Sequence, residues 1–440
     1  MKNNSQSLFS LTIPIFLELL LVTVVGNVDT IMLGRFSDQA VGAVGGISQV
    51  LTIQNVILSF ICLGTSILTA QYLGAQNKNS IIQVISVSII MNLILGGLLG
   101  FFYFFGWEVI LTKIKLPSEL IVVGKNYFRL VGGLCIFQAI TLTCGAVMKS
   151  FGNTKQMLFV NIGINLLNIL GNGMFIFGWL GSPILGVTGV GISTVFSRFI
   201  GAIIAIIVMM RYCHFNLVHL KNFSLKIAKQ ILSIGIPTAG EHLSWAIAQL
   251  IILSMVNTMG TVNIAARTYL ALVSSFIMTF SIALGQGTAI QVGQLVGANK
   301  KEQAYTHCLK STKLSFLAAT VVSIIVVLLK SPIMNFFTTD TEVLDVAYKV
   351  FIWLILIETG RTFNIVIINS LHAAGDIKFP MFMGVFSMFG VAVPLSWIFG
   401  IQLEWGLVGI WLGNSADEWL RGIIMLWRWN SKKWTNKGFI

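Results

Sequence analysis

Charge is what this chain has least of. Asp, Glu, Lys and Arg make up 10% of its 440 residues, against about 25% in a soluble domain. With 56% hydrophobic residues and a mean hydropathy of +0.87, that scarcity excludes two or three soluble domains and leaves one polytopic membrane body. Cysteine is also sparse. The five present (Cys62, Cys135, Cys144, Cys213 and Cys308) are scattered without CxxC spacing, which argues against a disulfide framework and a thiolate metal site. The five histidines form no ligand pattern. No G-x-x-x-x-G-K-[ST] phosphate loop occurs, so ATP does not drive this chain and an ion gradient is the default energy source. A polyprenyl transferase would need clustered aspartates to hold Mg²⁺ over a diphosphate. The one close acidic group, Asp340, Glu342 and Asp345, has no basic Gly-rich partner, so no enzyme is expected, and no cofactor beyond a coupling ion. The first apolar stretch is too long for a signal peptide and has no A-x-A-type site, so it should persist as a helix.

What is present is a repeat. Ile13-Pro14 to Glu18 returns as Ile236-Pro237 to Glu241, an offset of 237 − 14 = 223. Leu73-Gly74-Ala75-Gln76 returns as Val296-Gly297-Ala298-Asn299, and Gly152-Asn153-Thr154-Lys155 as Gly375-Asp376-Ile377-Lys378, both at the same offset. Duplicated membrane halves are an architecture of alternating-access transporters.

A crossing needs about 20 apolar residues. Twelve spans are expected near 9–34, 42–72, 81–106, 120–148, 156–178, 186–211, 230–257, 262–295, 308–330, 344–373, 379–400 and 406–428. With both termini inside, the inner loops and tails hold 17 Lys and Arg against 8 outside, which satisfies the positive-inside rule. Topology therefore accounts for the net charge of +13 without nucleic acid. The expected fold is an all-α polytopic membrane protein of twelve transmembrane helices in two six-helix lobes. The lobes are 1–215 and 230–440, joined by a cytoplasmic linker at 216–229. Six spans per half make the repeat parallel. The linker mixes apolar and basic residues, so it reads either as an interfacial segment drawn to anionic lipid headgroups or as a plain tether.

Ionisable groups within spans cost about 3 kcal/mol each on insertion scales, so those retained are informative. They are Glu18 and Asp29 in span 1, Glu241 in span 7, Glu358 and Arg361 in span 10, and Asp417, Glu418 and Arg421 in span 12. Asp29 lies five residues before Gly34, about 8 Å from the outer end. Asn168 and Asn172 share a face of span 5, and Thr194 in span 6 falls at similar depth. One carboxylate among neutral oxygens suits a proton or Na⁺. Helix-to-helix bonding is the alternative role for the amides and the hydroxyl. In the second half Ile252 stands where the offset places Asp29. Glu358 can pair with Arg361, and Asp417 and Glu418 with Arg421. Glu241 has no partner nearby in sequence.

Val28-Asp29-Thr30 to Gly34-Arg35, Lys149-Ser150-Phe151-Gly152-Asn153-Thr154, Asn168 to Asn172, and Gly186-Val187-Thr188-Gly189 with Ser193-Thr194, in that order, resemble the multidrug and toxic compound extrusion (MATE) family over nearly the whole chain. The resemblance implies two six-helix lobes forming a V around a central cavity in the plasma membrane. It implies export of lipophilic, often cationic drugs in exchange for H⁺ or Na⁺, by a protein functional as a monomer. Asp29 and Asn168 match the family's first-lobe carboxylate and asparagine, with Asn172 where several members carry Asp. Trp245 and Arg361 stand where one branch carries a second-lobe Glu and Asp, so coupling through the first lobe is expected. The substrate cavity is expected to draw on Glu18, Gln138, Glu241, Trp245, Glu358 and Arg361. A flippase for lipid-linked precursors is the rival, kept open by Arg361 and disfavoured by twelve rather than fourteen spans.

Overall fold

A bilayer offers the backbone no hydrogen-bond partner, so a long apolar segment must satisfy its own amides as helix. The computed structural model describes residues 7–440, without the side chains of residues 24–27 and 217. It contains no strand among the described residues. The first lobe runs α1 (Leu8–Gly34), α2 (Asp38–Gly74), α3 (Lys78–Lys113), α4 (Ser118–Gly133), α5 (Ile136–Ser150), α6 (Thr154–Phe177) and α7 (Gly186–Cys213). The second runs α8 (Leu225–Asn257), α9 (Thr261–Gly297), α10 (Lys301–Leu328), a short α11 (Lys330–Phe337), α12 (Thr341–Ala373), α13 (Lys378–Ser387), α14 (Val393–Trp397) and α15 (Gly406–Asn430).

Among the described residues ten helices are long and apolar enough to cross a membrane, eleven if α4 and α5, bent by 44° at their junction, are one span. One of the ten, Lys378–Gln402, is α13 and α14 with two π-helical turns, Met388–Ala392 and Ile398–Gln402. The twelfth crossing is α15, whose 25 residues include Asp417, Glu418 and Arg421 in mid-helix. Its charge content, not its length, sets it apart.

The repeat extends to the backbone. The turn residues Gln76 and Asn299 both have φ of 56°, and Gly152 and Gly375 have φ of 83° and 93°. These left-handed positions are 223 apart, and so are both ends of α2 and α9. Gly375 is required at its turn, since a Cβ there would lie 2.2 Å from the Lys437 carbonyl oxygen. Asp340 caps α12, its carboxylate accepting from the Glu342 and Val343 amides at 2.9 and 3.4 Å. Helix capping thus accounts for Asp340 of the close acidic group.

Chain contacts define two compact units, one comprising Leu17–Leu73 and Asn77–Gly235, the other Ser7–Phe16, Gly74–Gln76 and Ile236–Ile440. Lipid tails are as apolar as Leu, so close packing rather than escape from water selects the arrangement within each. In the first unit α7 packs on α4, α5 and α6, and Leu33, Ile47 and Phe128 are fully buried. In the second, α12 packs on α9, α10 and α15, around Val350, Phe351 and Leu354. The Gly409-x-x-x-Gly413 pair brings α15 onto the preceding crossing. A Cβ at Gly413 would lie 2.4 Å from the Ser396 amide nitrogen, so only a small residue admits this approach. Between α7 and α8 the chain makes a 3-10 turn, Leu217–Lys221, whose His219 carbonyl accepts from Ser86 of α3 at 2.7 Å.

Candidate functional site

Asp29 projects from α1 toward α6. Asn172 donates to its carboxylate at 2.7 Å, and Asn168, one turn earlier on α6, donates to Thr194 of α7 at 3.2 Å. The two amides meet at 3.5 Å. The four residues expected to form a coupling site are therefore contiguous within one lobe. Ser193 seals the α6–α7 side, donating to the Asn168 carbonyl at 2.8 Å. Gly171 permits that approach, since a Cβ there would come within 2.3 Å of the Ser193 hydroxyl. The buried Asn172 Oδ1 has no hydrogen-bond partner among the described residues. A carboxylate, two amide oxygens and a hydroxyl are hard oxygen donors, suited to a proton or a small hard cation.

Sequence reasoning overlooked two neighbours of this cluster. Arg198, one turn beyond Thr194 on α7, lies within electrostatic reach of Asp29. Tyr127 of α4 lies within reach of both charges. Arg198 was legible as the one charge in the interior of span 6, whose other arginine, Arg211, is at its end.

The charges of the second lobe form a chain of ion pairs. Arg361 Nη1 meets Glu358 at 2.6 Å and its Nε meets Glu418 at 3.3 Å. Arg421 holds Asp417 at 2.6 Å and Glu418 at 3.3 Å. Asn364 donates to Glu418 at 2.9 Å, and Ser274 of α9 donates to Glu358. Glu358 is 1% exposed. This network ties α9, α12 and α15 together. Glu358 and Arg361, expected to line a substrate cavity, pair with one another, and Arg361 also reaches Glu418 of α15. Arg361 is equivalent, at the 223 offset, to Gln138, which is half-buried on α5.

Glu18 meets Lys149 of α5 at 2.8 Å, a partner the sequence reading did not assign. Glu241 of α8 faces His372 of α12 at 3.5 Å. Trp245, one turn further along α8, is 42% exposed.

This arrangement of two repeated helical lobes, with polar clusters inside each, is that of a membrane transporter. The MatE family model matches residues 14–174 and again 237–398, one match per lobe and in the register of the internal repeat. The chain belongs to the MatE family of membrane transporters. Among its relatives, "Uncharacterized transporter YisQ" of Bacillus subtilis (strain 168) is 39% identical over 98% of this chain and 95% of its own length. A "Probable multidrug resistance protein NorM" of Thermotoga maritima is 26% identical over 99% and 94%. A solved structure described as the outward-facing conformation of a multidrug resistance MATE family transporter superposes with a TM-score of 0.84. It covers 97% of this chain and 96% of that one at 20% identity, which shows the fold.

Proposed function

We propose that this chain is a secondary antiporter of the plasma membrane, with both termini cytoplasmic, that exports lipophilic and often cationic compounds in exchange for H⁺ or Na⁺. The observation that carries this reading is the 2.7 Å hydrogen bond joining Asp29 to the Asn172–Asn168–Thr194 array. A half-buried carboxylate in a membrane helix is costly unless it binds something positive. Its direct hydrogen-bond donor is a neutral amide, and Arg198 acts on it only through space, so a cation that binds there shares the carboxylate with the field of that guanidinium.

In this account cation binding neutralises Asp29 and weakens the reason for α1 to hold against α6. A shift of α1 then lowers the affinity for the exported compound, so the two ligands are linked through one two-state element. Exposed Trp245 on α8 supplies surface for an apolar cation, with Glu241, one turn away on the same helix, as an acidic group for its charge. Glu358 and Arg361 serve as internal ties.

The rival reading, a precursor flippase, needs free buried cations for a pyrophosphate. Arg361 and Arg421 are both spent on carboxylates of their own lobe, so no observation favours it. Ethidium efflux from everted vesicles, with a pH gradient and a Na⁺ gradient imposed separately, tests the proposal. Export should follow one gradient. Export that follows neither would remove the antiport reading.

A further inference from the structure

The internal repeat reaches two side-chain pairs that sequence motifs alone do not connect. Glu18 and Glu241 are 223 residues apart (241 − 18), and so are their partners Lys149 and His372 (372 − 149). Each lobe thus holds a glutamate on its first helix facing a base one turn before the Gly152 or Gly375 turn. Both pairs are largely buried, with side-chain exposures of 13% and 21% for Glu18 and Lys149, and 12% and 8% for Glu241 and His372. The first pair is a closed ion pair at 2.8 Å. In the second, Glu241 Oε2 and His372 Nε2 lie 3.5 Å apart, and neither atom has a hydrogen-bond partner among the described residues.

Lysine carries a permanent charge at physiological pH, whereas histidine exchanges its proton there. A carboxylate oxygen and a bare imidazole nitrogen repel one another at this distance. A single proton between them converts the repulsion into a hydrogen bond, whichever atom carries it. Gly384 of α13 closes the site, its Cα so near that a Cβ would lie 3.4 Å from Glu241 Cγ. We infer that Glu241 and His372 form a second proton-binding site, separate from Asp29, which holds one exchangeable proton where the first lobe has the fixed Lys149–Glu18 pair.

The charged surroundings are compatible with one such proton. His242 on α8 lies within electrostatic reach of His372, and Arg421 of α15 within reach of Glu241. Beyond its first three turns, which hold Glu342, Asp345 and Lys349, α12 carries Glu358 and Arg361, already paired, and α15 carries Asp417 and Glu418, both held by Arg421, and Arg428, paired with Asp376. α13 offers only Lys378, at its first residue. Glu241, Glu358, Asp417 and Glu418 thus share two guanidiniums, Arg361 and Arg421, and a bound proton reduces that imbalance.

The test uses full-length protein in detergent carrying Asp29→Asn, so that the site proposed above for coupling is silent. Proton release is counted by alkaline titration between about pH 5.5 and 8.5. The Asp29→Asn protein should release about one proton more than the same protein with His372→Lys, which copies the first lobe's fixed pair. Lys149→His should add about one proton. Nitrogen-15 NMR of labelled histidine gives a second readout, with the His372 signal identified by its loss in His372→Lys. That signal should move from hydrogen-bonded to free imidazole in Glu241→Gln, a variant of nearly the same shape. Equal proton counts with and without His372→Lys, or a His372 signal unmoved by Glu241→Gln, would overturn the proposal. Neither result bears on Asp29, whose coupling role stands or falls in transport.

Discussion

Replacing Arg361 with Met should destabilise the second lobe strongly. The guanidinium reaches Glu358 at 2.6 Å, Ser274 at 3.1 Å and Glu418 at 3.3 Å, with its side chain 15% exposed. Methionine fills much of the same volume, so the loss is chiefly electrostatic. Three carboxylates (Glu358, Asp417 and Glu418) would then face Arg421 alone. Breaking a buried ion pair by removing one partner costs about 3–5 kcal/mol, because the other charge stays buried and uncompensated. If the lobe melts as one unit, that corresponds to a fall in Tm on the order of 10 °C. Tryptophan fluorescence during heating of the purified protein in detergent would read it. Adding Glu358→Gln should restore about half the loss, since it removes the carboxylate that was stranded. Arg361→Lys should fall between, because a point charge cannot span Glu358 and Glu418 as the planar fork does. A Tm for Arg361→Met within about 2 °C of wild type, with transport lost, would refute this reasoning and make Arg361 a substrate contact.

Other changes test other parts of the account. Gly413→Leu should prevent α15 from seating on the preceding crossing, given the 2.4 Å approach to Ser396, and so abolish accumulation of folded protein. Gly163→Ala, where no neighbour lies within 4 Å, should be neutral. Asn172→Leu removes a hydrogen bond to a charged group, worth about 1.5–3 kcal/mol. It should therefore shift the half-saturating concentration of the coupling cation by about ten- to a hundredfold, read from initial efflux rates. Trp434 is fully buried and stacks on Trp429 at 4.2 Å. Trp434→Ala should cost about 3–5 kcal/mol and open the C-terminal segment to limited proteolysis, with little change in transport specificity.

Span positions were legible because helix in a bilayer is forced by backbone hydrogen bonding, and the apolar runs mark it directly. The span expected at 42–72 is observed as Asp38–Gly74, and that at 406–428 as Gly406–Asn430. The bend between α4 and α5 was not foreseen, since Gly132-Gly133 gives no direction for a kink. The two π-helical turns around Pro394 were equally hidden. For the first-lobe cluster, periodicity put Asn168 and Asn172 on one face and depth placed Asp29 and Thr194 beside them. Ser193 was missed because a neighbour at i+1 points elsewhere on an isolated helix, and only the closeness of α6 to α7 at Gly171 turns it inward. Lys149 and His372 were missed for a different reason. Each stands next to a conspicuous glycine turn and reads as part of it, and their glutamate partners are more than 130 residues away. The repeat offset held the signal, but only for a comparison of pairs rather than of single residues.

The central claim is that Asp29 is the group through which the driving cation acts. Ethidium transport into proteoliposomes, driven by an imposed cation gradient and compared for wild type and Asp29→Asn at equal reconstituted amounts, tests it most directly. The variant should retain passive exchange of ethidium but lose all gradient-driven accumulation. Accumulation by Asp29→Asn at the wild-type level would contradict it.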